Sequence, residues 1–210
     1  MVQKDPPRAR GRPRAYDPDQ ALAAAMQAFW RLGYAGTSLE ELSEATDMNR
    51  PSMYAAFGDK RALYLKTLDS YIETARGTIA RILDSKAALA EALTEFLETA
   101  LASYLPEGEP PRGCYLIATA ATESMLDVEV RQRLQSALSS FETLFEQRLR
   151  RARTAGELPE SADLAALASM VLAVNHTLAF RSRAGVPRAV LAAIIKSSVQ
   201  VICGATDRAR

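Results

Sequence analysis

The chain has 210 residues, and its 26 Lys and Arg nearly balance its 25 Asp and Glu, for a formal net charge of +1. This balance excludes a globally basic nucleic-acid coat protein but permits a local basic patch. A hydrophobic content of 48% is typical of a globular chain rather than a disordered one. Two cysteines, Cys114 and Cys203, are too few for a disulfide scaffold, so we expect a reduced, cytoplasmic protein. The first residues lack the apolar core of a secretory signal, and no stretch approaches about 18 uninterrupted apolar residues, so no membrane-spanning helix is predicted.

The charge is distributed unevenly along the chain. Residues 1–14 carry a net charge of +4, whereas residues 15–60 carry −4. The Pro- and Arg-rich residues 1–15 show no apolar periodicity, which predicts a flexible basic arm. Arg10, Arg12 and Arg14 resemble the core of an AT-hook, an extended strip whose arginines enter the narrow, negative minor groove of A·T-rich DNA. A solvated tail is the alternative interpretation.

Three short helices and one long helix are predicted after the arm. Apolar residues at helical spacing indicate helices over 18–32, 38–45 and 49–57, and then a longer helix from about 59 to 76. Gly33 is expected to end the first of them.

The second and third helices have the layout of a helix-turn-helix, because only residues 46–48 separate them. The turn needs left-handed backbone angles, which usually require glycine, and Asp47 is among the few other residue types that tolerate them. Asn49 is a strong N-cap for the third helix, and Pro51 falls in its first turn, where a missing N–H costs little. The pattern predicts a recognition helix that can enter the major groove of DNA.

The rest of the chain is also helical in pattern. Apolar stripes run through 89–104 and 134–149, and the Pro-rich segment 106–111 and the turn 154–161 interrupt them. We find no strand-like alternation bounded by hairpin turns and no internal repeat. The sequence therefore predicts an all-α fold of about nine helices.

A set of residues within 21–71 carries a family resemblance. The set comprises Phe29, Gly33, Tyr34, Thr37, Ser38, Leu42, Met53, Tyr54, Phe57, Asp59, Lys60 and Leu63. In this joint pattern the segment resembles the DNA-binding domain of TetR-family transcriptional repressors. The resemblance implies a three-helix DNA-binding domain at 16–60 and a larger ligand-binding and dimerisation domain at 61–210. It also implies a homodimer that binds palindromic double-stranded operator DNA and is released by a small-molecule effector.

Candidate DNA contacts lie in the arm, at two helix starts and on the third helix. Thr37 and Ser38 begin a helix, where free N–H groups and the helix dipole favour a phosphate, and plain capping is compatible with that role. Arg50 can take either a guanine or a phosphate, and Tyr54 can take either a phosphate or a place in the core. The full set is Arg10, Arg12, Arg14, Thr37, Ser38, Arg50, Pro51, Ser52, Tyr54 and Lys60.

The last two helices are apolar over a wide arc, which requires cover on more than one side. They are either interior helices of a monomer or, the interpretation we favour, a homodimer face that pairs with itself as a four-helix bundle. The residues predicted for this seam are Leu164, Leu167, Val171, Val174, Leu178, Leu191, Ile194, Ile195 and Val201.

An apolar cavity with a few polar groups is the usual form of a ligand site, and ordinary core is the alternative for every candidate. The candidates are Tyr104, Tyr115, Thr119, Thr122, Phe141, Phe145, His176 and Phe180. His176 is the only histidine and cannot assemble a multi-histidine site alone, so we expect no metal and no cofactor. Cys114 is interpreted as a small buried hydrophobe, with a thiolate that senses electrophiles as the alternative.

Enzymatic function is not expected, because the sequence has no phosphate-binding Gly loop, no metal-ligand cluster and no nucleophile elbow. The prediction is a ligand-responsive repressor whose partners are DNA, a second copy of the chain and a small molecule, with no membrane partner. The alternatives are an effector-independent DNA-binding protein or activator of the same fold and, less favoured, a helical ligand-binding protein or enzyme.

Overall fold

The computed structural model describes residues 17–204, so the basic arm at 1–15 lies outside the described residues. Within that range the chain forms helices and no strand. The helices are α1 (Pro18–Gly36), α2 (Leu39–Thr46), α3 (Arg50–Phe57), α4 (Lys60–Leu83), α5 (Leu89–Tyr104), α6 (Ala121–Glu123), α7 (Val128–Thr154), α8 (Leu164–Arg183) and α9 (Arg188–Cys203), with a π-helical turn at Leu116–Ala120 before α6. The all-α prediction is confirmed.

Side-chain caps start the first four helices. Asp17 accepts a hydrogen bond from the Asp19 amide at 2.9 Å, and Asn49 accepts one from the Ser52 amide at 2.9 Å. Asp59 likewise accepts from the Ala62 amide at 2.7 Å. Each cap satisfies a backbone N–H that has no partner inside its helix. Because these signals are local, the sequence located the helix starts to within one or two residues.

Gly33 interrupts α1, as the sequence predicted. Its φ of 76° and ψ of 167° are not helical, so the regular helix ends at Leu32, and a short helical stretch resumes at Tyr34. A positive φ is easily adopted only by glycine. The break turns the chain toward the start of α2.

The first three helices pack on the start of α4 through a small aromatic core. The Phe29 and Tyr64 rings lie 5.2 Å apart, and the Tyr34 and Tyr64 rings lie 4.7 Å apart. Leu42 and Phe57 bring α2 and α3 to the same core and are buried. Helix α4 therefore belongs to both halves of the molecule, because its later turns pack against α5 and α7.

The larger half is a bundle of α4, α5, α7, α8 and α9. Phe96 of α5 packs edge-on against Phe145 of α7, with 4.8 Å between ring centroids. Arg148 of α7 is buried, donates to the Ala87 carbonyl at 2.9 Å and lies 3.6 Å from the Glu157 carboxylate. These polar contacts join the end of α7 to the start of α5.

Helix α8 is apolar on two sides. Its length and composition would allow it to cross a membrane, with a mean hydropathy of 1.4 over its most apolar window. Polar residues such as Asn175 and His176 interrupt its apolar residues, so the sequence contains no uninterrupted apolar run of about 18 residues here. Leu172 and Leu178 face the core, whereas Met170 and Phe180 are exposed. A core helix with a second apolar face can be as long and as apolar as a membrane-spanning helix.

Candidate nucleic-acid interface and internal cavity

The turn between α2 and α3 has the left-handed backbone that the sequence predicted. Asp47 adopts φ 50° and ψ 34° and is the C-cap of α2. Among the described residues it is the one non-glycine residue with positive φ. The Met48 amide donates to the Ser43 carbonyl at 3.2 Å, and the Met48 side chain is buried. These contacts fix the direction in which α3 leaves the turn.

Helix α3 has one buried face and one exposed face. Met53 and Phe57 are buried. Arg50 and Pro51 are exposed on the opposite side, and Tyr54 is 44% exposed, so the core alternative for Tyr54 is wrong. This exposed face has the dimensions of a recognition helix: two turns bounded by an N-cap and a glycine.

Arg50 is paired with a carboxylate of α2. Its guanidinium forms an ion pair with Glu40, and the two side chains are 48% and 70% exposed. Exposed ion pairs contribute little to stability, so a guanine or a phosphate can replace Glu40 at small cost. The pair leaves the guanidinium at the start of α3, where the sequence predicted a DNA contact.

Thr37 and Ser38, the two residues predicted to contact DNA at the start of α2, differ in exposure and in hydrogen bonding. Thr37 is buried, its hydroxyl donates to the Gly33 carbonyl at 2.6 Å, and its amide donates to the Tyr34 carbonyl at 3.3 Å. Ser38 is exposed and accepts a hydrogen bond from the Glu41 amide at 3.1 Å, and its own amide lowers the pKa of Glu41 by hydrogen bonding to that carboxylate. Thr37 therefore has no spare donor for a phosphate, whereas the surface beside Ser38 is open.

Lys60 lies at the start of α4, close to the same surface. Its ammonium nitrogen is 4.5 Å from the centroid of the Tyr34 ring. This cation–π contact holds the charge near the helix start without a competing carboxylate among its described contacts.

Ion pairs tie the first turn of α4 to the start of α7. Arg61 donates to both carboxylate oxygens of Asp127, at 2.5 Å and 3.0 Å, and lies 3.1 Å from Glu129. The Arg61 hydrogen bond lowers the pKa of Asp127 to about 2. One turn further along, Arg133 of α7 pairs with Asp69 of α4 at 2.8 Å. Motion at the start of α7 is therefore linked to the helix that carries α1–α3.

A cavity of about 480 Å³ lies inside the larger half, between α1, α4, α5, α7 and α8. Its walls are mostly apolar, with Phe96, Leu134 and Phe141 among them. Such a volume and lining are typical of small-molecule sites. Tyr104 and His176 also line it, so three of the predicted ligand-site residues meet here.

A few polar groups project into this cavity. The Tyr104 hydroxyl donates to Asn175 Oδ1 at 2.9 Å, and the Tyr71 hydroxyl lies 3.5 Å from the Cys114 Sγ. Burial raises the pKa of both tyrosines and lowers the pKa of His176. All three side chains are therefore neutral at pH 7.

Two family profiles match the chain. The profile for bacterial regulatory proteins of the tetR family covers residues 21–67, and the profile for the tetracyclin repressor-like C-terminal domain covers residues 90–197. The second match spans half of the chain. The chain belongs to the TetR family.

Individual TetR-family proteins show the same similarity. The HTH-type transcriptional repressor ComR of Escherichia coli strain K12 is 31% identical over 179 residues, which cover 85% of each chain. Two structures of cysteine mutants of the regulator CifR on 26-bp double-strand operator DNA are 33% identical, with TM-scores of 0.81 and 0.82. Each match covers 90% of this chain and 98% of the CifR chain. The protein is thus a DNA-binding transcriptional regulator of the helix-turn-helix type.

Five of the ligand-site residues predicted for this TetR-family chain lie away from the cavity. Tyr115 and Thr119 are buried, where their hydroxyls meet Thr67 at 2.8 Å and Tyr64 at 3.0 Å. Phe145 packs on Phe96, behind the cavity wall. The other two, Thr122 and Phe180, are exposed on the surface. An apolar stripe cannot distinguish cavity from core, because both exclude water.

Most residues of the predicted dimer seam face the interior of the chain. Leu167, Val171, Leu178, Leu191 and Ile195 are buried against the protein's own helices, and Leu164, Val174 and Ile194 are half-buried. Only Val201 of that set is freely exposed, at 62%. The stripe that contains most of the Leu and Ile residues packs inward, which buries a large apolar area, and the outer faces mix small residues with Met170, Phe180 and Val201.

Sequence reasoning missed most of the cavity wall, including four side chains outside the apolar stripes at 89–104 and 134–149. Met26 and Trp30 come from α1, Tyr71 from α4, and Arg112 from the segment before the π-helical turn. Trp30 is only 5% exposed, so its burial alone does not distinguish it from an ordinary core residue. The sequence signal for this part of the wall is the cluster Arg112-Gly113-Cys114 after the Pro-rich segment 106–111, which apolar periodicity alone does not detect.

Proposed function

We propose that this protein is a ligand-responsive repressor in the cytoplasm, which binds a near-palindromic operator as a homodimer and is released when a small molecule occupies the cavity. The observation that carries the proposal is the exposed face of α3, held at a defined angle by the left-handed Asp47 turn. Membership of the TetR family supports it, as do the operator-bound CifR structures. Residues 16–60 then bind DNA, and residues 61–210 bind ligand and dimerise.

DNA contact is proposed for the exposed polar surface around α3. Arg50, Pro51 and Ser52 would face the major groove, while Tyr54 and Lys60 would meet the phosphate backbone on either side. Ser38 would add backbone N–H groups at the start of α2. The surrounding segment 15–60 is acidic overall, so the cations of the arm at 1–15 would supply much of the attraction to DNA.

Dimerisation is proposed through the outer faces of α8 and α9. On α8 the residues Met170, Ala173, Thr177 and Phe180 are exposed at helical spacing, and Phe180 is 70% exposed. Val190, Ala193, Ser197 and Val201 form the corresponding exposed stripe on α9. An apolar surface of this kind on adjacent helices favours a self-complementary two-fold contact.

Release of DNA is proposed to follow from the position of the cavity. Its wall includes Tyr71 and Ala75 of α4, whose first turns carry the DNA-binding helices. A molecule that fits the cavity better in one orientation of α4 shifts the population toward that orientation. Because two recognition helices must meet grooves about 34–36 Å apart, a change in their spacing weakens operator binding.

The test is footprinting on the DNA upstream of the protein's own gene, combined with sizing in solution. We expect protection of one symmetric stretch by a dimer. A strictly monomeric protein, or protein that protects no symmetric site at any concentration, would contradict the proposal. In the same assay, removing residues 1–14 should lower affinity and flatten its dependence on salt, because fewer phosphates are neutralised.

A further inference from the structure

The first helix of the DNA-binding region reaches into the cavity. Trp30 and Met26 of α1 both line it. The Trp30 ring packs against the rings of Tyr71 at 5.4 Å and Tyr115 at 5.3 Å. Its indole N–H donates to the Gly113 carbonyl at 3.1 Å. A molecule in the cavity therefore lies against α1 itself, as well as against α4.

One cation lines the cavity, and it already has hydrogen-bond partners within the protein. Among the described lining residues, Arg112 alone carries a formal charge at pH 7. Its Nε donates to the Ser103 carbonyl at 3.0 Å, its Nη1 donates to Gln27 Oε1 at 2.7 Å, and Glu109 lies 3.8 Å away. The guanidinium also stacks over Trp30 at 4.3 Å. A ligand cation would meet no carboxylate among the described lining residues. A ligand anion would have to share the guanidinium with Glu109, Gln27 and the Ser103 carbonyl.

The polar groups that remain are neutral hydrogen-bonding groups. Tyr71 and Tyr104 both lie against Cys114, Tyr104 hydrogen-bonds Asn175, and burial keeps both tyrosine hydroxyls protonated by raising their pKa. Burial of an unpaired charge costs far more than burial of a hydroxyl that finds a hydrogen-bonding partner. The lining thus matches an uncharged molecule with a mainly apolar body.

We propose that the cavity binds an uncharged, mainly apolar molecule directly against Trp30, so that the DNA-binding region forms one wall of the effector site. The inference rests on the function proposed above. It adds a chemical class for the effector and a direct contact between the effector and α1.

Gly113 connects the Trp30 contact to α8. Its φ is 65°, and a Cβ at this position would lie 2.6 Å from the Ala179 carbonyl oxygen of α8. Arg183 of α8 also donates to the Arg112 carbonyl at 3.2 Å. The segment that accepts the Trp30 hydrogen bond is therefore in close contact with α8. A ligand that moves the Trp30 ring acts on a junction of α1, the cavity and α8.

The experiment uses the full-length protein and three rigid probes that share an adamantane body and differ in the head group and its charge. They are adamantan-1-ylmethanol, adamantane-1-carboxylate and adamantan-1-ylmethylammonium, which do not absorb where tryptophan is excited. Trp30 is the only tryptophan in the chain, so its emission reports contact directly. We expect the alcohol to change the emission and to bind at least about tenfold more tightly than either ion, as measured by calorimetry.

A matched pair of variants locates the probe. Ala100 lines the cavity on α5, whereas Ala90 is exposed on the same helix. Ala100→Leu should abolish binding of the alcohol, and Ala90→Leu should leave it unchanged, with circular dichroism confirming the fold of both.

Four outcomes would overturn the inference: no binding of the alcohol, equal or tighter binding of an ion, binding without a change in Trp30 emission, or equal binding by the two variants. Probe binding is measured without DNA and footprinting without probe. Failure of this inference and failure of the proposed function are therefore distinguishable.

Discussion

Two pairs of helices differ in the number of their apolar faces: α2 and α3 near the N-terminus, and α8 and α9 at the end of the chain. In α2 and α3 the apolar residues occupy one narrow face, and Leu42 and Met53 are buried while the opposite face is polar and exposed. In α8 the inner face buries Val171 completely, yet the outer face still exposes Phe180. A one-sided helix has one way to pack against a core. A two-sided helix has two, and the protein's own core and a second copy compete for them.

The largest effect should come from adding a charge to each face of the closing helices. Val171 is fully buried on α8, and Val201 is 62% exposed on α9. Val171→Glu should unfold the protein or destabilise it by about 3–5 kcal/mol, because it buries an unpaired carboxylate. Val201→Glu should keep the fold and produce monomers. Thermal unfolding and sizing separate the two results. A folded Val171→Glu monomer, or a Val201→Glu dimer of unchanged affinity, would contradict this division of the faces.

The second effect tests the polar face of α3. If Arg50 reads guanine, Arg50→Ala should reduce discrimination between bases at one position by about 1–3 kcal/mol. If Arg50 contacts a phosphate, the variant should weaken binding uniformly over all sequences. Arg150→Ala is the control, because Arg150 is also exposed but lies on α7. Binding to a panel of singly substituted operators measures both. An Arg50→Ala protein that behaves like the control would remove Arg50 from the interface.

The third effect tests the turn that aims α3. Asp47 has a positive φ, whereas Asp84, the C-cap of α4, has φ −81°. At position 47 glycine should be more stable than valine by about 1–2 kcal/mol, since a branched side chain opposes the left-handed conformation. At position 84 this preference should be absent or reversed. Comparing Gly with Val within each site cancels the ion pair that Asp84 makes with Arg151. Denaturant midpoints for the four variants provide the test.

The smallest effect concerns the link between α4 and α7. The pKa of Asp127 is about 2, below its ordinary value of 3.8, mainly because of the Arg61 hydrogen bond. A depressed carboxyl pKa stabilises the folded state above about pH 4, and this contribution is lost as the pH falls toward 2. Asp127→Asn keeps an N-cap for α7 but removes the charge. The variant should be less stable than the parent at neutral pH and equal to it near pH 2. A stability difference that does not depend on pH would contradict this origin.

Local signals were sufficient for the DNA-binding region. The cap at Asn49 and the break at Gly33 lie where the sequence placed them, and Asp47 has the predicted backbone. Each depends on a residue and neighbours within four positions. Thr37 is the exception, because its burial depends on how α1 and α2 meet at Gly33.

The ligand cavity was predicted less completely. Tyr104, Phe141 and His176 were found because they lie on apolar stripes, whereas Phe145 lies on the same stripe and is core. Trp30 and Arg112 are 82 positions apart in the sequence numbering and meet only in the folded chain, where the guanidinium stacks on the indole. No periodicity in either segment contains that contact.

The sequence alone therefore determined the all-α fold, the helix boundaries near the N-terminus, the helix-turn-helix and the family, because short-range hydrogen bonds and one-sided apolar faces encode them. Tertiary structure decided which face of α8 and α9 turns inward and which side chains surround the cavity. Burial there depends on several apolar surfaces at once, and the face that contains most of the Leu and Ile residues takes the interior.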